Sequence, residues 1–298
     1  MIRSLLLLLF SIATLAAQSA DMDSVEIKAT HIAGKVHMLE GRGGNIGVFA
    51  GPEGVLLVDD QFAPLTVRIV AAIRHISKEP ILYVVNTHLH PDHTGGNENL
   101  GKMGIRIVAH DKVRERLADG FINRATGQKG PPAPEAALPT LTYTERLSFH
   151  LNGEEVQIIK VPAAHTDGDS IVFFTGSNVI HAGDVFRTTT YPVIDTNHGG
   201  TFHGTLQALS IIIQLANPDT IIIPGHGEPS PLKEVLEWRK MLVTIANRIQ
   251  QSVDKGDHVD EALARNPGLE FNHRWAAESG WASEKEFMTT IYNELQSR

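Results

Sequence analysis

The sequence contains no cysteine, which excludes disulfide bonds and a lipid anchor attached to cysteine. Thiolate is also a frequent zinc ligand, so any metal in this chain must be held by nitrogen and oxygen atoms. No basic run is present, and the formal charge of −8 argues against nucleic acid or another polyanionic partner. A Gly-x-Ser-x-Gly segment is missing too, so a serine hydrolase has no support.

Beyond the first twenty residues, no apolar run approaches the length of a membrane span. Residues 1–20 combine a basic start at Arg3, an apolar run from Leu5 to Leu15 and small residues from Ala16 to Ala20. This is the layout of a secretory signal peptide with cleavage at about 16–20. We therefore expect a mature protein without a membrane anchor, exported to the periplasm or secreted.

The remaining sequence, 25–298, predicts a single domain that alternates strands with helices. An apolar share of 42% allows a sizeable core. Apolar residues at helical spacing predict helices over Pro64–Lys78, Thr205–Ala216 and Pro231–Val253. Towards the C-terminus, aromatic residues predict a further packed helical region: Phe271, Trp275, Trp281 and Phe287.

A dense group of metal-ligand side chains follows the apolar run Ile81–Val85, which predicts a buried strand. The segment from Thr87 to Gly96 contains His88, His90, Asp92 and His93. Two histidines two residues apart can project to one side of a strand end. Several such ligands are costly to pack together without a cation. The segment therefore indicates half of a two-metal site.

Three further candidate ligands repeat this placement in the second half of the chain. His165 follows the predicted strand 156–161, Asp184 follows 178–182, and His226 follows 220–223. Loops at the ends of a sheet's strands are where folds commonly build sites. We therefore expect these side chains to converge with the first group.

The stretch Asp119–Thr140 is rich in glycine and proline, and its length is typical of a lid or binding loop, with a passive insertion as the alternative. Four side chains are candidates for substrate contact, although we favour structural roles for them and leave them outside the catalytic set: Phe121, Arg187, Tyr191 and His198.

The chain resembles the metallo-β-lactamase-fold superfamily over about Val36–Leu242. The resemblance is carried by the His-x-His-x-Asp-His run, His165, Asp184 and His226, which follow one another in that family's order. The resemblance implies an α/β fold, a four-layer αββα sandwich, and a metal-dependent hydrolase that acts on a small molecule. It also implies two metal ions. One would be held by His88, His90 and His165. The other would be held by Asp92, His93 and His226, with Asp184 bridging both.

Three imidazoles leave zinc one open position for water, so we expect two Zn²⁺ per chain, with iron or manganese as alternatives. The expected reaction is attack of a shared hydroxide on a carbonyl group, with Asp92 as the catalytic residue that orients the nucleophile.

An aspartate at 184 resembles glyoxalase II and many lactonases, whereas most true metallo-β-lactamases have cysteine or serine there. The aspartate argues against a typical β-lactamase, whereas the signal peptide argues for one and against cytosolic thioester detoxification. The expected carbonyl substrate therefore stays open between an ester, a lactone, an amide (including β-lactam) and a thioester. One alternative is a mononuclear iron enzyme of the persulfide dioxygenase type, for which the resemblance implies His88, His165 and Asp184 as ligands. Another is a non-catalytic metal-binding relative, against which the full set of seven ligands argues.

Overall fold

The computed structural model describes residues 22–123, 126–277 and 283–297. The predicted signal peptide over residues 1–20 and the predicted packing of Trp281 lie outside the described residues. Among the residues described, no helix is both long and apolar enough to cross a bilayer.

The first half of the chain builds a sheet of seven strands in sequence order. The pairings among its first four strands are antiparallel, and the pairings from the fourth strand to the seventh are parallel. The strands are β1 (Lys28–Ala33), β2 (Val36–Glu40), β3 (Ile46–Gly51), β4 (Gly54–Val58), β5 (Ile81–Val85), β6 (Arg106–His110) and β7 (Leu141–Tyr143).

The second half builds a sheet of six strands in the order β13-β12-β11-β10-β9-β8. β11 and β12 are parallel, and the other neighbours are antiparallel. The strands are β8 (Arg146–Leu151), β9 (Glu154–Lys160), β10 (Ser170–Phe174), β11 (Val179–His181), β12 (Ile221–Ile223) and β13 (Ser230–Pro231).

Helices lie between the strands and after the last of them. Those of the first half are α1 (Thr66–Ile76), α2 (Pro91–Thr94), α3 (Asn97–Lys102) and α4 (Asp111–Asp119). Those of the second half are α5 (Phe202–Leu215), α6 (Leu232–Lys255), α7 (Val259–Ala264), α8 (Asn272–Trp275) and α9 (Glu284–Gln296).

Each sheet is buried on both faces. On β4, Leu56 and Val58 pack between the two sheets, while Val55 and Leu57 pack towards α1. Successive side chains of a strand point to opposite faces, so a continuous apolar run is what a strand covered on both sides requires. The second sheet packs its outer face against α5, α6 and α9. The layers are therefore helix, sheet, sheet and helix, and the predicted αββα sandwich is confirmed.

Two helices begin at other residues than the sequence predicted. The predicted helix from Thr205 begins at Phe202, because the Thr201 side chain accepts a hydrogen bond from the backbone N–H of Gly204. The predicted helix from Pro64 opens as a single 3-10 turn over Ala63–Leu65 before α1. Neither change moves a candidate ligand.

Candidate metal centre

All seven candidate ligands lie past the carboxyl ends of strands. His88 and His90 follow β5, and Asp92 and His93 lie in α2 immediately afterwards. His165 follows β9, Asp184 lies in the turn Gly183–Val185 after β11, and His226 follows β12. These strands run in compatible directions within their sheets, so their ends meet at one edge of the sandwich.

The first group joins the two halves of the chain. Ring nitrogens of His88, His90 and His165 lie within 4.8 Å of one another. His90 Nδ1 is 2.7 Å from His165 Nε2. All three imidazoles are buried, with 5% exposure or less.

Hydrogen bonds at the far side of each ring fix which nitrogen faces the group. His165 Nδ1 donates to the carbonyl of Val193 at 2.6 Å, and His90 Nε2 donates to Asp195 Oδ2 at 2.8 Å. Both acceptors lack a proton, so each neutral ring keeps a lone pair on its other nitrogen. Two lone pairs 2.7 Å apart repel unless a cation lies within reach of both.

The orientation of the His88 ring is fixed by a hydrogen bond to the Thr87 side chain. The Thr87 hydroxyl donates its proton to Asp59 Oδ2 at 2.8 Å. Its oxygen, 3.0 Å from His88 Nδ1, is then free to accept from that ring. His88 Nε2 is left buried without a hydrogen-bond partner among the residues that the structure describes.

The second group consists of Asp92, His93 and His226, whose ligand atoms also lie within 4.8 Å of one another. His226 Nε2 is 3.2 Å from Asp92 Oδ2, and His93 Nε2 is 3.6 Å from the same oxygen. His93 Nδ1 donates to Asp59 Oδ2 at 2.7 Å, so its Nε2 faces the group. Asp92 and His226 are the more accessible members, with side chains 27% and 21% exposed.

Asp184 lies between the two groups. Its Oδ1 is 3.3 Å from both His93 Nε2 and His226 Nε2, and its Oδ2 is 3.6 Å from His165 Nε2. Gly225 packs so tightly here that an added Cβ would be 2.0 Å from Asp184 Oδ1. Gly225 thus lets the loop after β12 approach the carboxylate.

Asp59 is linked by hydrogen bonds to both groups, to His93 directly and to His88 through Thr87. It is fully buried at the end of β4 and has a positive φ of 65°, which is uncommon for a residue with a side chain. This backbone conformation places its carboxylate to accept from the N–H and the hydroxyl of Thr87 and from His93. A strained residue at such a position is typical of a functional site.

Burial and neighbouring charges shift the pKa values of the ligand histidines in opposite directions. Burial and the neighbouring imidazoles hold the pKa of His88 well below its ordinary value, and burial lowers that of His165 to about 3. Burial also opposes the charged form of His93, but the carboxylates of Asp92, Asp59 and Asp184 outweigh it and raise that pKa well above normal. The pKa of His226 is raised, against burial, chiefly by Asp184.

The two carboxylates of the site stay ionised. Burial favours their neutral forms, yet His93 and His226 hold the pKa of Asp92 below its ordinary value. His226, His93 and Arg187 likewise hold the pKa of Asp184 well below normal. Both carboxylates are therefore charged when the imidazoles around them accept or lose protons.

The donor set fits divalent metal ions. The buried atoms without a hydrogen-bond partner, among the residues described, include His88 Nε2, His93 Nε2 and Asp184 Oδ1. All three point into the two groups, where imidazole and carboxylate are suitable ligands for zinc, iron or manganese. Buried polar atoms without a hydrogen-bond partner are rare in native proteins and indicate a missing partner.

Sequence reasoning missed Asp59, Thr87 and Asp195, which orient the ligands. Asp195 Oδ2 accepts from His90 and, at 2.7 Å, from His198 Nδ1. Ligand atoms of His90, Asp195 and His198 also lie within 4.8 Å of one another, but both imidazoles already donate hydrogen bonds to Asp195 Oδ2. The group is therefore a hydrogen-bond network beside the metal site. For Asp59, the acidic end of the apolar strand was the available signal.

The four candidates for substrate contact lie in different surroundings in the folded protein. Tyr191 is fully buried and donates to Asn272 Oδ1 at 2.7 Å, so its role is structural. Phe121 stacks on His198 with ring centroids 4.9 Å apart, and its own centroid is 5.8 Å from that of His90. Arg187 is buried close to Asp184 and affects its pKa.

Comparison with known sequences gives a family match and two partial relatives. A family model described as the metallo-beta-lactamase superfamily matches residues 39–226. A linear primary-alkylsulfatase from Pseudomonas sp. (strain ATCC 19151) is 25% identical over 254 residues, covering 72% of this chain and 48% of the sulfatase. The alpha subunit of a 2,4-dinitroanisole O-demethylase from Nocardioides sp. (strain JS1661) is 28% identical over 148 residues, covering 48% of this chain and 42% of that subunit. The chain thus spans somewhat less than half the length of these relatives.

Solved structures show the same fold. The stereoselective inverting sec-alkylsulfatase Pisa1 from Pseudomonas sp. aligns with a TM-score of 0.66 and 16% identity over 90% of this chain and 50% of its own. A metallo-beta-lactamase from Pontibacter korlensis aligns with a TM-score of 0.60 and 18% identity over 73% of this chain and 99% of its own. At these identities the likeness concerns the fold alone.

Proposed function

We propose that this chain, which belongs to the metallo-beta-lactamase superfamily, is a dinuclear metal-dependent hydrolase. The family and the enzyme class predicted from the motifs are confirmed by the match over residues 39–226. The observation that carries the proposal is the convergence of two groups of ligand atoms, each within 4.8 Å, around Asp184. In the part of the chain described, three of these inward-facing atoms have no hydrogen-bond partner: His88 Nε2, His93 Nε2 and Asp184 Oδ1.

In this proposal the first ion would be held by His88, His90 and His165, and Asp184 would be shared with the second. The second ion is held by three residues: Asp92, His93 and His226. We propose zinc for both positions, because the ligands are imidazole and carboxylate only. When bound, such a pair activates a water nucleophile and polarises the scissile group as a Lewis acid.

The residues of the chain hold and orient what the metals act on. Asp92 lies on the accessible side of the site, 27% exposed, and its lowered pKa keeps it charged. A charged carboxylate accepts a hydrogen bond from the attacking water and so aims its lone pair at the substrate. We therefore assign Asp92 chiefly a positioning role, in which it would orient the water nucleophile.

The substrate class has two candidates. The first is a carbonyl compound, meaning an ester, lactone, amide (including β-lactam) or thioester, favoured by the resemblance of the aspartate at position 184 to glyoxalase II and many lactonases. The second is a sulfate ester, favoured by the similarity to a linear primary-alkylsulfatase at 25% identity. The chain covers 48% of that sulfatase, so any shared activity is part of the proposal.

Metal analysis and a substrate panel test the proposal together. We expect near two zinc ions per chain and hydrolysis of one member of the panel: nitrocefin, a lactone, an aryl ester, a thioester or an alkyl sulfate. EDTA should abolish that activity. One iron per chain with O₂ uptake would instead establish the dioxygenase alternative and overturn the hydrolase.

His90→Ala should remove the first metal and abolish hydrolysis with little loss of folded protein. His150→Ala is the matched control, because His150 is exposed on β8, outside the metal-ligand groups. Asp184→Ser should weaken the pairing of the metals. Two tightly held metals in that variant would show that Asp184 does not bridge them.

We also propose that the protein is exported, on the composition of residues 1–20. Cell fractionation followed by N-terminal sequencing tests this. The expected mature N-terminus lies just after a residue between Ala16 and Ala20. An intact Met1 on protein from the cytoplasm would overturn it.

A further inference from the structure

Asn45 is a buried asparagine that lies where the loop after β2 enters β3. Its backbone N–H donates to the carbonyl of Gly225 at 2.7 Å. Its side-chain amide donates to the carbonyls of Pro224 at 2.9 Å and Gly227 at 2.8 Å. These partners lie on both sides of His226, so one residue of the first half holds the backbone around a ligand that the second half supplies.

The chemistry of the two side-chain bonds requires an amide at position 45. Both partners are carbonyl oxygens, which only accept, so the NH2 end of the side chain must face them and donate one N–H to each. A carboxylate there would place an oxygen against each carbonyl, and a methyl group would donate nothing. The segment 224–227 belongs to no helix or strand, so its carbonyls depend on partners of this kind.

Gly44, the preceding residue, contacts the other two ligands of the second group. Its N–H donates to the carbonyl of Asp92 at 3.0 Å. A Cβ on Gly44 would lie 2.1 Å from the His93 ring, so only glycine lets the backbone pass this close to the imidazole. The buried Gln61 side chain donates to the Gly44 carbonyl at 2.7 Å and holds the segment in place.

His226 depends on backbone bonds more than the other histidine ligands do. Its side chain is 21% exposed, whereas the other four histidines are 5% exposed or less and are packed on all sides. From the second half, Thr188 N donates to the His226 carbonyl at 3.0 Å. Asn45 supplies bonds from the first half. Together they set the distance of 3.2 Å between His226 Nε2 and Asp92 Oδ2.

Asn45 also contacts the strand that leads to the bridging aspartate. Burial lowers the pKa of His181, the last residue of β11, so its ring is neutral. Gly183 N donates to His181 Nδ1 at 3.3 Å, so Nε2 carries the proton and donates to the Asn45 carbonyl at 3.1 Å. The turn that follows β11 contains Asp184. Asn45 is therefore bonded to both second-half elements that deliver ligands near the second group.

We propose that Gly44 and Asn45 position the ligands of the second metal ion; this rests on the proposed function. Asn45 holds the loop of His226 at a fixed distance from Asp92. Gly44 holds the Asp92 backbone and leaves room for the His93 ring. Occupancy of the second ion then depends on two residues outside the ligand set, and the first ion does not share this dependence.

Stepwise zinc binding tests the inference without relying on turnover. The metal-free full chain is titrated with zinc against a competing chelator, which gives a dissociation constant for each ion. Asn45→Ala removes both side-chain donors, and Asn45→Asp replaces the NH2 group by an oxygen with little change of shape. Asn152→Ala is the control, because Asn152 is also buried and donates to the Gly54 carbonyl at 2.9 Å, outside the metal-ligand groups.

We expect Asn45→Ala and Asn45→Asp to weaken binding of the second ion by about 10- to 100-fold and to leave the first within about threefold. Asn152→Ala should lose stability and keep both dissociation constants. A parallel weakening of both ions in Asn45→Ala would assign Asn45 to general stability and overturn the inference. Two unchanged dissociation constants would overturn it as well.

Gly44→Ala disturbs the same group through a different contact, because the added methyl group would press on the His93 ring while the backbone bonds remain available. We expect the same selective loss of the second ion. Gly104→Ala is the control: its φ of 84° disfavours alanine, but a Cβ there would meet no atom within 4 Å. Normal affinity for the second ion in Gly44→Ala would contradict the inference.

The two proposals fail differently. Two ions in the unmodified chain without hydrolysis of any substrate, together with selective loss of one ion in Asn45→Ala, would refute the hydrolase and support the inference. Hydrolysis by a chain whose second ion is indifferent to position 45 would refute the inference alone. An unmodified chain that binds one ion at most would overturn both, because the second group would then not be a metal site.

Discussion

At the scale of single residues, the site depends on hydrogen bonds made on the far side of each imidazole. Asp195, the Val193 carbonyl and Asp59 accept from His90, His165 and His93 respectively. Each acceptor selects the tautomer whose free nitrogen faces the metal groups. The orientation of the metal-ligand nitrogens therefore depends on these acceptors as well as on the histidines themselves.

Asp195→Ala should therefore weaken metal binding without removing a ligand. His90 would lose the acceptor that holds its Nε2 proton, and the metal affinity of the first group should fall about 10- to 100-fold. Competition between the protein and a zinc chelator measures the change. Asp260→Ala, in the exposed first turn of α7, serves as the control; unchanged affinity in Asp195→Ala would show that this hydrogen bond is dispensable.

The pKa values of the histidines also predict how the two proposed metal ions respond to acid. In the metal-free site the pKa values of His93 and His226 are raised, whereas those of His88 and His165 are lowered. A raised pKa keeps the proton bound up to a higher pH, so protons compete with metal at the second group first as pH falls.

On acidification from pH 7.5, we expect the second metal to leave before the first. Metal content after dialysis at a series of pH values should pass through a plateau near one ion per chain, at about pH 5 to 6. Simultaneous loss of both ions would contradict the separation of the two groups by their pKa values.

At the scale of elements, the sequence predicted those parts of the site that follow an apolar strand. The runs that became β5, β11 and β12 were each followed by a histidine or an acid, and each delivers a ligand. Asp195 has no such signal, because it lies in a segment without periodicity and contacts a residue 105 positions away. Long-range partners of this kind depend on the packing of the two sheets, which no local pattern records.

The loop over residues 119–140 is the element whose role the sequence left between a lid and a passive insertion. In its described part, Ile122 N donates to His198 Nε2 at 3.1 Å and Phe121 stacks on the same ring, so this part of the loop packs beside the metal centre. His198 in turn donates to Asp195, so the loop contacts the hydrogen-bond network of His198, Asp195 and His90.

Phe121→Ala should thus raise KM several-fold while leaving metal content unchanged, because it removes an apolar wall beside His90 and no ligand. Steady-state kinetics with metal analysis of the same sample measures both. Gln128→Ala, an exposed change in the same loop, is the control. A loss of metal in Phe121→Ala would assign the residue to the support of the ligands instead of substrate contact.

At the scale of the whole molecule, the metal groups connect two halves that otherwise meet across the apolar layer between the sheets. The first group takes His88 and His90 from the first half and His165 from the second. The second group takes Asp92 and His93 from the first half and His226 from the second. The order of elements along the chain made this convergence predictable, whereas the distances required the packed sandwich.

The proposed metal ions would bind the folded arrangement and not the separated halves, so removing them should lower the melting temperature. Ions present at about a thousand times their dissociation constant stabilise the folded state by about 4 kcal/mol. For a chain of this size that corresponds to a shift on the order of 10 °C. Calorimetry with and without EDTA measures the shift. His90→Ala, which should lack the first metal already, should lose less on EDTA treatment than His150→Ala. Equal melting temperatures with and without EDTA would mean that the two halves are held by their apolar interface alone.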